Sequence, residues 1–202
     1  MSASKSVFCA IALVLAFITA PFAQQPGRIR GQIESIDGSN AVLKLRDGGT
    51  MKLKIADDAR VSALTKASVD DLKDDTFVGI AGVVRPDGSI EAYSVHIFLP
   101  AQRGVVADRH TPWDGRPNST MTNAYIEGTP TGTADTHSFK VKYKDGEKTI
   151  TVTPQTGIAR AAPGSKDELK PGVQIIIFAS TKEGDTTVAK VLYVGRGITP
   201  AM

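Results

Sequence analysis

The stretch "DRHTPWDGRPNSTMTNA", residues 108–124, gathers side chains able to do chemistry among residues that make turns. Asp108, His110 and Asp114 offer one imidazole and two carboxylates, ligand types that suit zinc or another divalent transition metal. Their spacing, D-x-H-x-x-x-D, matches no specific metal motif, so a structural reading competes with it. In that reading Trp113, the only tryptophan, packs on a barrel flank, Asp114 makes a turn before Gly115, and His110 is solvated. Met121 and Met202 are soft thioethers; with the tail folded back, they and His110 would suit copper, and otherwise Met121 fills a gap. Met121, Thr122 and Asn123 lead into the next strand. Trp113, Met121 and Asn123 are therefore expected to fix a connector between two similar units, with Trp113 as a wedge.

Other reactive groups are less suggestive. Ser119 lies among turn residues without a G-x-S-x-G elbow or a Ser-x-x-Lys pattern. Adjacent acids such as Asp57-Asp58 and Asp74-Asp75 sit at strand ends or caps, and neighbours on a strand point to opposite faces, so they make poor acid–base partners. His96 should face away from Val95 and Ile97 as a solvated or satisfied strand histidine, and His137 has only Asp135 nearby. The chain is expected not to be an enzyme and to carry no cofactor beyond a possible divalent metal.

The elements that must position these groups repeat once. "LKLRDGGTMKLKI" (43–55) and "FKVKYKDGEKTITV" (139–152) both read as strand, Asp-Gly turn, strand. "SVDDLKDDTFVGIAGVV" (68–84) lies over "SKDELKPGVQIIIFAST" (165–181), each opening on a capping-box pattern, Ser68 with Asp71 and Ser165 with Glu168. Buried strands follow at 77–84 and 173–179, then turns, then last strands at 90–98 and 187–194. Opening strands at 28–36 and 124–131 complete each half. Five strands with a short helix between the third and fourth is the OB-fold order. The expected fold is all-β: two tandem five-stranded OB-like barrels, with residues 24–100 as the first repeat, 101–123 as the connector and 124–202 as the second. Two unrelated meanders or one larger sandwich are the alternatives.

On such barrels the second and third strands often bind extended ligands. That face holds Lys44, Arg46, Lys52 and Lys54 in the first repeat, and Lys140, Lys142, Tyr143, Lys144 and Lys148 in the second. The strip could meet an acidic partner, an anionic glycan or a lipid headgroup; lysines on an outward strand face also serve simply to block aggregation.

Residues 1–23 read as a signal peptide, with Lys5 ahead of an apolar run from Val7 to Ile18 and cleavage expected after Ala23. The run is shorter than the ~20 apolar residues of a spanning helix, and no other segment could span a bilayer. Cleavage removes Cys9, the only cysteine, leaving no disulfide or thiolate ligand. It also removes Lys5, so 24 basic residues become 23 against 21 acidic ones. Charges of both signs are interspersed, without the basic stripe that nucleic-acid binding requires. The mature chain is expected in the periplasm or outside the cell.

The paired pattern, with "RPNSTMTNA" between the halves and a "GRGITPAM" tail, resembles an uncharacterised family of exported bacterial proteins. Its members carry a domain of unknown function expected to be OB-like, and some bear the label "metal ABC transporter permease". "STMTNA" (119–124) is the most specific element. A permease needs several membrane-spanning helices, which this sequence does not offer. The resemblance implies a periplasmic protein near a transport system and hands over no catalytic residues. The expected role is exported, non-enzymatic binding or scaffolding in the cell envelope, with an envelope protein or a small charged ligand as partner. The alternative is a divalent-cation-binding accessory protein of a transport system.

Overall fold

In the computed structural model, residues 28–201 are described; the expected signal peptide, Cys9 and Met202 lie outside them. The chain runs through β1 (Ile29–Asp37), β2 (Asn40–Leu45), β3 (Thr50–Lys66), a 3-10 turn (Val69–Asp71), β4 (Phe77–Val84) and β5 (Ile90–Ile97). A second 3-10 turn (Pro100–Gln102) leads to β6 (Arg109–Trp113), β7 (Ser119–Thr133), β8 (Thr136–Tyr143), β9 (Gly146–Val152) and β10 (Gly157–Pro163). A third 3-10 turn (Lys166–Glu168), β11 (Gln174–Glu183) and β12 (Thr186–Gly195) complete it. Among the described residues no helix is long and apolar enough to cross a membrane.

The strands close into two five-membered circuits. One runs β12-β11-β1-β2-β3 and closes where β3 pairs parallel with β12. The other runs β5-β4-β7-β8-β9 and closes where β5 pairs parallel with β9. Each takes three strands from one half of the chain and two from the other. The tandem arrangement, in which each half would close its own barrel, therefore gives way to a reciprocal exchange of β4–β5 for β11–β12. The length of β3 accounts for it. Its seventeen residues pair with β2 over residues 50–54 and with β10 over residues 62–66, so β3 runs past its own ring and delivers the chain beside the other one before β4 begins.

The rings meet along an antiparallel β3–β10 ladder in which Leu64 faces Ala161. These two residues are separated in sequence by the same interval as Ser68 and Ser165. The ladder is thus centred on equivalent positions, and a pseudo-twofold axis passes through it. On one side of the axis Ile33, Leu43, Ile55 and Leu192 fill the first ring. On the other, Val78, Val95, Phe139 and Ile150 fill the second. A third cluster, including Leu64, Ala161, Met121, Ile176 and Tyr193, occupies the seam.

The expected short helices are single 3-10 turns. Asp71 accepts a hydrogen bond from the Ser68 N–H at 2.9 Å, and Glu168 one from the Ser165 N–H at 3.0 Å. The chain then turns extended at Leu72, whose side chain drops into the second ring, while Leu169 drops into the first. A longer helix would carry these leucines past the openings they plug.

Candidate functional site

The connector is a β-hairpin rather than an irregular loop. β6 pairs antiparallel with the first five residues of β7, from Arg109 opposite Asn123 to Trp113 opposite Ser119. The turn between them uses Asn118 at φ +56, the left-handed region in which asparagine is among the better tolerated residues. Ser119 Oγ ties that turn, donating to the Arg116 carbonyl at 2.7 Å and accepting from the Arg116 N–H at 3.1 Å. Asn123 Nδ2 donates to the Ala107 carbonyl at 3.1 Å and fixes the entry to β6. Met121 is buried in the seam cluster.

β6 spreads the expected metal ligands apart. Extended chain advances about 3.3 Å per residue, so Asp108 and Asp114 stand roughly 20 Å from each other along the strand. His110 Nδ1 instead meets Thr122 Oγ1 at 2.8 Å, and its ring stacks on Tyr143 with centroids 6.0 Å apart. Burial, with the positive charge of Lys148, lowers the His110 pKa. Among the described residues no group of three or more His, Cys, Asp or Glu is placed to hold a metal ion.

Asp114 turns toward arginines. Its carboxylate accepts from the Arg28 N–H at 2.8 Å and from Arg30 Nη2 at 2.8 Å. Burial pushes its pKa up, but these hydrogen bonds and the charges of Arg30 and Arg28 outweigh that and hold it below the usual value. Trp113 is half-buried against the seam, and the Arg28 guanidinium lies 4.0 Å from the centre of its ring. Arg116 covers Tyr93 in the same manner at 4.1 Å. Gly115 joins the two stacks: a Cβ there would lie 2.5 Å from the Tyr93 hydroxyl and 2.8 Å from Trp113 Nε1.

This face concentrates positive charge. Burial lowers the Arg28 pKa; Asp114 opposes that, while Arg30 and Arg109 lower it further. Arg46, its pKa lowered by burial and again by Arg30, donates to the Pro200 carbonyl. Arg28 and Arg30 thus share one carboxylate, Asp114, while Arg109 adds its charge beside Arg28 and Arg46 lies beside Arg30. Arg28 Nε and Trp113 Nε1, both donors, are buried with no hydrogen-bond partner among the described residues. Scattered from position 28 to 116, these arginines form no run in the sequence; Arg46 alone belongs to the expected basic strip.

The rest of that strip is divided between the rings. Lys44 and Lys52 are exposed on the outside of the first, on strands whose Leu43 and Leu53 point inward. Lys140 and Lys142 are exposed on the second, where Glu127 and Tyr125 are their cross-strand neighbours on β7. Lys140 also lies 3.8 Å from Glu147. Tyr143 alternates with those lysines, shares the inward side with Phe139 and Val141, and meets His110.

His96 does face away from Val95 and Ile97, yet it is neither solvated nor satisfied. The opposite face of β5 is the seam, so His96 is 1% exposed with no partner for either ring nitrogen among the described residues. Comparison of the chain with protein-family models, with curated proteins and with solved structures finds no match.

Proposed function

We propose that this is an exported, non-enzymatic binding protein of the cell envelope that holds a phosphate-bearing oligoanion on the arginine-covered face of the β6–β7 hairpin. The observation that carries this reading is a chain of neighbouring arginines: Arg28 and Arg30 on Asp114, Arg109 near enough to lower the Arg28 pKa, and Arg46 near enough to Arg30 to have its own lowered, with Arg28 stacked on Trp113 and Arg116 on Tyr93. Planar guanidiniums suit phosphate because they donate paired N–H groups to its oxygens. Stacking on the rings limits their rotamers, so less entropy is lost when an anion binds. Export rests on the leader-like residues 1–23. The polar groups of the hairpin, Ser119, Asn123 and His110, are engaged in holding its shape, which favours binding over catalysis. We read the two rings as OB-like: in each, three antiparallel strands are joined by a pair whose last strand runs parallel to the third.

The test is titration of the mature chain with tripolyphosphate at low ionic strength, followed by the fluorescence of Trp113. A saturable change is expected, weakening with salt and at least about tenfold weaker in an Arg28→Ala/Arg109→Ala double variant. No response, or a response indifferent to the double variant, would sink the reading.

A further inference from the structure

We propose that a cleft beside the first 3-10 turn is a second ligand site, built for a small amphiphilic carboxylate. It encloses about 670 Å³ and lies where β9 breaks into β10, between Val69, the β7–β8 turn and the tail at Gly197–Ala201. That volume is within the ~300–1,000 Å³ usual for small-molecule sites. Val69, Val152, Ile158 and Ile198 supply apolar wall and the buried Ser94 a hydroxyl, while the Thr156 hydroxyl is held by the Ala92 carbonyl at 2.7 Å. Lys66 is the one Lys, Arg, Asp or Glu among its lining residues. The adjoining hollow, which shares Val69 and His137, is lined by Asp70 and Asp74 as well as Lys73, two acids to one base, so Lys66 is the cation a carboxylate meets without an acid among the same lining residues.

The cleft lies where the pseudo-twofold symmetry fails. At the equivalent place on the first ring, Lys166 Nζ reaches from the third 3-10 turn and donates to the Asp57 carbonyl, bridging the gap. Val69 and Pro154 hold the corresponding positions here. Without an ammonium at residue 69 there is no donor for that bridge, and the space stays open. The one half thus spends a lysine on closing what the other keeps lined with apolar groups.

The probe is octanoate, titrated into the mature chain and followed through backbone amide NMR signals, with octanol and octylammonium as comparators. Octanoate should shift Val69, Ser94 and Gly157 saturably, and octylammonium should not. Lys66→Gln should weaken octanoate about tenfold and leave octanol unchanged. Val69→Lys, which restores the other ring's residue, should abolish binding while the Arg28→Ala/Arg109→Ala variant retains it. The proposal fails if millimolar octanoate gives no saturable shift, if the shifts fall only on the β6–β7 hairpin, or if a folded Val69→Lys protein binds as well as the parent. Should Val69→Lys not fold, undiminished octanoate binding by Lys66→Gln overturns the proposal.

Discussion

His96 and Tyr193 occupy equivalent positions in the two halves, and their rings meet edge to face across the seam with centroids 5.2 Å apart. Their backbones are also placed alike: His96 pairs with Ala159 on β10 and Tyr193 with Ser62 on β3, again equivalent residues. The contact therefore belongs to the pseudo-twofold axis, as Leu64 and Ala161 do. The two halves solve it differently. Tyr193 accepts a 2.7 Å hydrogen bond from Gln102 at its hydroxyl, whereas His96, enclosed also by Phe98 at 4.7 Å, has no hydrogen-bond partner among the described residues.

That asymmetry makes the fold acid-sensitive. Burial holds the His96 pKa down to about 3, while in the unfolded chain it is about 6.5. Between those values the unfolded state binds more protons, so stability is full above the upper value and falls as pH drops toward the lower one. The loss from this group amounts to roughly 3–5 kcal/mol over the window. His96→Phe should flatten the dependence between pH 6 and 4 and leave stability at pH 7 equal or higher, since two unsatisfied nitrogens go. Urea denaturation across that range measures both; an unchanged slope would show that other groups carry it.

The strands were legible because alternation and Asp-Gly turns are local. Phe77–Val84 coincides with its expected span, and the inward faces of Leu43, Leu53, Phe139 and Val141 follow from period two. The exchange was not legible. An alternating pattern states which face is buried, not which strand lies alongside, and in a repeated chain β4–β5 and β11–β12 fit either ring. Asp114 was visible as a carboxylate, but its arginines, Arg28 just before β1 and Arg30 within it, are remote in sequence and brought close only by the ring. The cleft is built from several separate segments, and nothing in any one of them announces it.

Trp113 is expected to contribute both packing and fluorescence. Its half-buried ring lies between the seam and Arg28. Trp113→Ala should cost roughly 2–3 kcal/mol, below the ~3–5 kcal/mol of a fully buried aromatic. Trp113→Phe should stay within about 1 kcal/mol of the parent, because a ring remains under the guanidinium. Equal stabilities for the two variants in chemical denaturation would contradict the stacked arrangement.

Asp114→Asn separates stability from binding. The carboxylate anchors the start of β1 through the Arg28 N–H and Arg30, and it also neutralises charge an incoming anion would use. Its partial exposure limits the loss to roughly 1 kcal/mol. Tripolyphosphate should bind several-fold more tightly to Asp114→Asn, even as its melting temperature falls. Weaker binding together with lower stability would mean that the carboxylate orders the arginines more than it competes with a ligand.

The exchanged strands bind the two rings into one cooperative unit. Leu72, from the link between β3 and β4, plugs the second ring, and Leu169, from the link between β10 and β11, plugs the first. Losing β4–β5 opens the second ring and at the same time releases the link that holds the end of β3, so neither ring can unfold while the other keeps its strands. Leu72→Ala and Leu169→Ala should each cost roughly 2–5 kcal/mol. Both should lower a single calorimetric transition whose calorimetric and van't Hoff enthalpies agree. Independent rings would instead give two transitions, with Leu72→Ala moving one and Leu169→Ala the other.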